Sequence, residues 1–141
     1  MTIRSSKARV GALNHIGIAV LSIEESLKQF QELFDSPTAE ILVDEGRGLR
    51  GCFIEQGETH IELLQPLHND TVIAKFLANH GEGIHHMAFT VDNLTAKYEE
   101  LLSLGVPIID GPKQGFHGPV IFTDPKVTHR VLIELVQPDV H

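Results

Sequence analysis

The chain has 141 residues, 42% of them hydrophobic, enough for one compact unit with a sizeable core or for two small halves sharing one. A formal net charge of −8 speaks against a general nucleic-acid binder, which needs an excess of Lys and Arg over the phosphates. No apolar run of about 18 residues is present, the start MTIRSSKARV lacks the apolar segment of an export signal, and Cys52, alone of its kind, cannot form an internal disulfide. The expectation is a cytoplasmic protein with no membrane and no nucleic-acid partner.

In chain order, the first predicted element is a strand, "HIGIAV", from His15 to Val20. A helix follows: Ile23, Leu27, Phe30, Leu33 and Phe34 recur at helical spacing, Glu24, Glu25, Lys28, Gln31 and Glu32 fill the other face, and Ser22 stands at the N-cap. "LRGCFIEQGETHIELLQP" then reads as two strands joined through Glu55-Gln56-Gly57-Glu58. A linker over 67–83 holds a short predicted helix, Thr71 to Asn79, and a glycine-rich exit. From His86 to Val91 a strand returns, leading into a helix with Leu94, Tyr98, Leu101 and Leu102 on one face, Asn93 at its N-cap and Gly105 at its stop. "PVIFTDP" and "HRVLIELVQP" close the chain as two strands turned at Asp124-Pro125-Lys126.

The elements repeat. The segment opening at His86 lies over the one opening at His15, and "IELLQP", from Ile61, returns as "IELVQP", from Ile133. The predicted fold is α+β: duplicated βαβββ modules over 13–66 and 84–138 form one curved mixed sheet around a metal site, with the helices on the outer face and the whole a single compact domain.

Duplication also selects the chemistry. His15 and His86 open the first strand of each half, and Glu62 and Glu134 stand in the last strand of each, every carboxylate alternating with apolar neighbours. A charged residue inside such a strand needs a partner. A lone Glu or His is commonly a solvated or structural residue, but recurrence of the same residue type at the matching place is not explained by solvation. Two imidazoles and two carboxylates suit one divalent ion per chain: Co, Zn, Ni, Mn or Fe. Asn14 precedes His15 where His85 precedes His86, so His85 has no repeat partner, and alternation assigns it to the opposite face.

"NHIGIAV", "IELLQPL" with "IAKFL", "GEGIHHMAF" with "VDNL", "GFHG", "DPK" and "VLIEL" together resemble the vicinal oxygen chelate (glyoxalase/bleomycin resistance) superfamily, and within it the methylmalonyl-CoA epimerases, over nearly the whole span 13–137. The resemblance implies that His15, Glu62, His86 and Glu134 occupy the four metal-ligand positions. It further implies an isomerase acting on an acyl-CoA of the 2-substituted malonyl type, through proton abstraction and a metal-stabilised enolate, and a homodimeric assembly. Glu134 matches the family glutamate that serves as one base. A second base is associated with the strand before the first carboxylate ligand. With a turn at Gln56-Gly57, Glu55 faces Glu58 and the residue facing Glu62 is Gly51, so Glu45, in "DEGRGLRG", is the nearest substitute. His129 and Arg130 replace a family Gly-Gly pair; Arg130, with Lys126, Lys113 and Lys75, is a candidate for holding the substrate's anionic groups. Two rivals remain: a glyoxalase I-like isomerase of a glutathione hemithioacetal, whose "DPDG" ending is missing here, and a non-catalytic small-molecule binder, which the intact quartet disfavours.

Overall fold

A computed structural model describes residues 8–36 and 39–139; of the start MTIRSSKARV, residues 1–7 lie outside the described residues. The elements run β1 (Val10–Ala19), α1 (Ile23–Phe34), β2 (Ile41–Asp44), β3 (Leu49–Gln56), β4 (Thr59–Pro66), α2 (Val72–His80), β5 (Gly83–Val91), α3 (Leu94–Ser103), β6 (Ile108–Gly115), β7 (Gly118–Thr123), a 3-10 turn (Pro125–Val127) and β8 (Ile133–Val136). This is βαβββ twice, joined by α2. The hydrogen-bonded order is β2-β3-β4-β1-β5-β8-β7-β6 in a mixed eight-stranded sheet. Two compact units divide the chain: one is His15–His86, the other the described part of residues 1–14 and 87–141.

In the first of these, β1 pairs with β4 in parallel and β3 joins β4 to β2 by antiparallel pairing. Ile18 registers with Leu63, and Leu63 with Cys52, so these point to one face, where they meet Val20, Ile23 and Leu27. Helix α1 covers that face because its apolar stripe is turned inward; Ile23 is fully buried, worth about 1.5–3 kcal/mol. Leu33, expected in the stripe, is 72% exposed, whereas Phe30 packs against the core with the Phe34 ring stacked on it. In the other unit β5 pairs with β8 in parallel and β7 bridges β8 to β6. There Val91, Leu94, Ile121 and Leu135 form the core, with Tyr98 and Leu101 packed against it and Leu102 left exposed.

The repeated hexapeptide now has a structural explanation. Its third residue feeds the core, Leu63 in one unit and Leu135 in the other. Its Gln caps the helix of its own unit: Ile23 N–H donates to Gln65 Oε1 at 2.9 Å, and Leu94 N–H to Gln137 Oε1 at 2.8 Å. Each satisfies an N-terminal donor that the helix itself cannot. Ser22 and Asn93 accept from Glu25 and Ala96 N–H as the sequence suggested.

Three expectations need correction. β1 begins at Val10, five residues before the expected start at His15. The β3–β4 turn is Gly57-Glu58, with Gly57 at φ 69, so Gln56 pairs with Thr59 and Glu55 with His60. The residue facing Glu62 is therefore Phe53, and Gly51 faces Leu64. The left-handed residue has to sit inside a two-residue loop, and glycine takes it without a Cβ clash. Finally, β8 starts only at Ile133, because His129 and Arg130 adopt φ of 57 and 70 and end any extended run before it.

Candidate metal centre

Parity in the unit His15–His86 defines a second face. His60 registers with His15 and with Glu55; Glu62 registers with Gly17 and with Phe53. These side chains share the face opposite α1. His15, Glu62 and His86 are 4%, 5% and 4% exposed, so three ionisable groups are withdrawn from water together. Such burial is costly unless the groups satisfy one another or an ion.

They converge. His15 Nε2 lies 3.1 Å from His86 Nε2, His86 Nε2 lies 3.3 Å from Glu62 Oε1, and His15 Nε2 lies 3.7 Å from the same oxygen. Two atoms each about 2.1 Å from one ion stand about 3.0 Å apart at a right angle and about 3.4 Å apart at the tetrahedral angle. The triad therefore spans what a first-row divalent ion requires. Burial works against the Glu62 carboxylate, yet the His86 hydrogen bond and the charges of His15, His86 and Arg47 outweigh it and hold its pKa below the usual value. An anionic carboxylate between imidazoles is the ligating form.

Gly17 makes the convergence feasible. A Cβ there would stand 2.2 Å from Cε1 of His86, so the imidazole lies directly over a glycine placed between His15 and Glu62. Phe53, edge-on to His15 at 5.9 Å and to His60 at 6.5 Å, walls the same face. Neither Gly17 nor Phe53 was singled out by sequence; the signal for Gly17 was its place two residues after a candidate ligand, opposite Glu62. The His85 ring lies 5.2 Å from that of His86, with Nδ1 to Nδ1 at 3.0 Å, and Phe76 packs edge-on against it at 5.0 Å. Burial first, then the neighbouring His86, lowers the His85 pKa to about 4.

The remaining predicted residues are placed as follows. Glu134 is 6% exposed on β8, registered with Ala88 and Phe122. Glu45 is exposed in the β2–β3 turn, which Arg47 braces by donating from Nε to Asp44 Oδ2 at 2.6 Å. Lys113 is ion-paired with Asp110 and lies 5.7 Å from the centre of the Phe122 ring, while Lys75, Lys126 and Arg130 are exposed.

Residues 14–123 match the model of the glyoxalase/bleomycin resistance protein/dioxygenase superfamily. The chain belongs to this superfamily. Among relatives of this superfamily member, the mitochondrial methylmalonyl-CoA epimerase of Dictyostelium discoideum is 37% identical over 132 residues, covering 92% of this chain and 80% of the relative. The ethylmalonyl-CoA/methylmalonyl-CoA epimerase of Cereibacter sphaeroides is 35% identical, covering 91% and 98%. In structure, a variant of the Streptomyces coelicolor methylmalonyl-CoA epimerase in complex with 2-nitronate-propionyl-CoA superposes with a TM-score of 0.87 at 28% identity, covering 94% of this chain and all of that one.

Proposed function

We propose that the protein is a metal-dependent methylmalonyl-CoA epimerase. The observation that carries this reading is the buried convergence of His15, Glu62 and His86 in a chain whose epimerase relatives match it along most of its length. Glu134 is the fourth ligand in this reading. Its support is the register: Glu62 pairs with Gly17, two residues after His15, and Glu134 pairs with Ala88, two residues after His86. An ion bound by these four supplies electrophilic stabilisation of the negative charge that builds on the thioester oxygen during proton abstraction.

The chain's own groups handle the proton. Glu134 takes it from the carbon between thioester and carboxylate, and Glu45 returns one from the other side, inverting the centre. Support for Glu45 is that it is an exposed carboxylate in the turn leading into β3, the strand paired with the one that carries Glu62. Phe53 and Phe122, each registered opposite its unit's glutamate, are suited to keeping water from the carbanion-forming step. Lys113, over the Phe122 ring, is on the strand face that carries Glu134 and is the cation placed to hold the substrate carboxylate; exposed Lys75, Lys126 and Arg130 suit the CoA phosphates. Among the described residues no helix is long and apolar enough to cross a membrane, and the proposed location is the cytoplasm, as a homodimer using exposed apolar side chains such as Leu21 and Leu33.

The test is turnover by the metal-loaded protein of methylmalonyl-CoA against the hemithioacetal of methylglyoxal and glutathione. Inversion of the first without conversion of the second is expected. Conversion of the hemithioacetal alone would replace the reading with that of a glyoxalase I-like isomerase.

A further inference from the structure

We infer that His85 is a positioning residue that fixes the tautomer of His86. Each imidazole has two nitrogens, and a ligand must present one as a bare lone pair while the other keeps its proton. His86 turns Nε2 toward His15 and Glu62 and leaves Nδ1 on the far side of the ring. What meets that Nδ1 is Nδ1 of His85, at 3.0 Å. With the proton on His86 Nδ1, that N–H donates to the lone pair of His85 Nδ1, and His86 Nε2 is committed to the site. His85 then carries its own proton on Nε2.

The surroundings favour a fixed role over a passing contact. Phe76 of α2 stands edge-on to the His85 ring at 5.0 Å and almost perpendicular to it, so the ring is held against His86 from a second element. Gly17 seats the other side of His86 with no room for a methyl group. The His86 ring is thus gripped between a glycine floor and a hydrogen-bond acceptor. Duplication does not demand this arrangement, because Asn14 occupies the position in the first half that His85 occupies in the second. His85 is a specific addition to one half. Partners of this kind orient a ligating imidazole, and their removal typically weakens metal binding about 10–100-fold.

This inference rests on the reading of His86 as a metal ligand, and the experiment separates the two. Wild-type protein, His85→Ala and His85→Asn are compared for cobalt(II) affinity, followed by the visible absorption of the bound ion, and for the His86 tautomer in metal-free protein at about pH 9, where imidazoles are neutral and no His86 imidazolium is held to Glu62 by charge, followed by long-range nitrogen–proton NMR. Thermal melting confirms that each variant is folded. Wild type is expected to show the Nδ1–H form of His86; His85→Ala is expected to shift toward the Nε2–H form and to bind cobalt at least about tenfold more weakly. His85→Asn, whose amide oxygen reaches the place of Nδ1, is expected to recover most of both. Folded His85→Ala with unchanged affinity and unchanged tautomer overturns the inference, as does equal weakening in both variants with the tautomer preserved, which would mark packing alone. Wild type that binds no cobalt overturns the metal reading beneath it.

Discussion

Replacing Gly17 by alanine puts the geometry of the centre under direct strain. The new Cβ would stand 2.2 Å from Cε1, 2.6 Å from Nδ1 and 2.8 Å from Nε2 of His86, whereas nonbonded carbons rest about 3.5–4.0 Å apart. The imidazole must retreat by more than about 1 Å, carrying away the Nε2 that now lies 3.1 Å from His15 Nε2 and 3.3 Å from Glu62 Oε1. A misplacement of about 1 Å in a functional constellation costs roughly a hundredfold, and cobalt affinity is expected to fall by about that factor. Overpacking alone should lower folding stability by about 1–3 kcal/mol. Cobalt titration and urea unfolding measure the two effects, with Gly46→Ala as control, since its Cβ would meet nothing closer than Asp44 Oδ1 at 3.4 Å. A folded Gly17→Ala protein that binds cobalt as tightly as wild type refutes the reasoning.

Three further outcomes are expected. His15→Ala and Glu62→Ala purified from metal-supplemented medium should each hold far less than one divalent ion per chain by elemental analysis; full occupancy in both would remove the triad from the site. Arg130→Gly should stabilise the protein by up to about 1 kcal/mol, because Arg130 sits at φ 70, where a Cβ is penalised, less the entropy that glycine adds to the unfolded chain; an unfolding midpoint that falls would contradict this. In metal-stripped protein, the His85 pKa near 4 against an ordinary 6.5 means that the unfolded chain binds more protons between those values, so stability declines as pH falls from 6.5 toward 4. The full effect is at most roughly 3.4 kcal/mol, and in His85→Asn this part of the pH dependence should vanish from urea midpoints measured across the window.

Much of this protein was legible because it is written twice. A single strand glutamate carries little information, but Glu62 and Glu134 in matching hexapeptides singled out two carboxylates, and both are buried, 5% and 6% exposed. The glutamine of the same hexapeptide went unread, since its partner is a helix N-terminus brought close only by the fold. The hairpin was found but its register was shifted by one residue, which is enough to exchange Gly51 for Phe53 opposite Glu62. Composition could not decide whether Gly57 opened or closed the loop; its positive φ did. β2 has four residues, and β6 contains Gly111-Pro112 and register shifts, so neither offered a clean alternating pattern. Gly17 had only its place two residues after His15 as a signal, because its role is to leave space for a ring from a strand far away in sequence.

The central claim is that this site removes and returns a proton at the second carbon of a malonyl-type acyl-CoA. The most direct measurement is incubation of the metal-loaded protein with one epimer of methylmalonyl-CoA in deuterated water, followed by mass spectrometry and stereochemical analysis of the thioester. Deuterium is expected to enter at the second carbon as inversion proceeds, and both are expected to fail together in Glu134→Gln. Folded, metal-loaded protein that leaves the substrate neither exchanged nor inverted would contradict it.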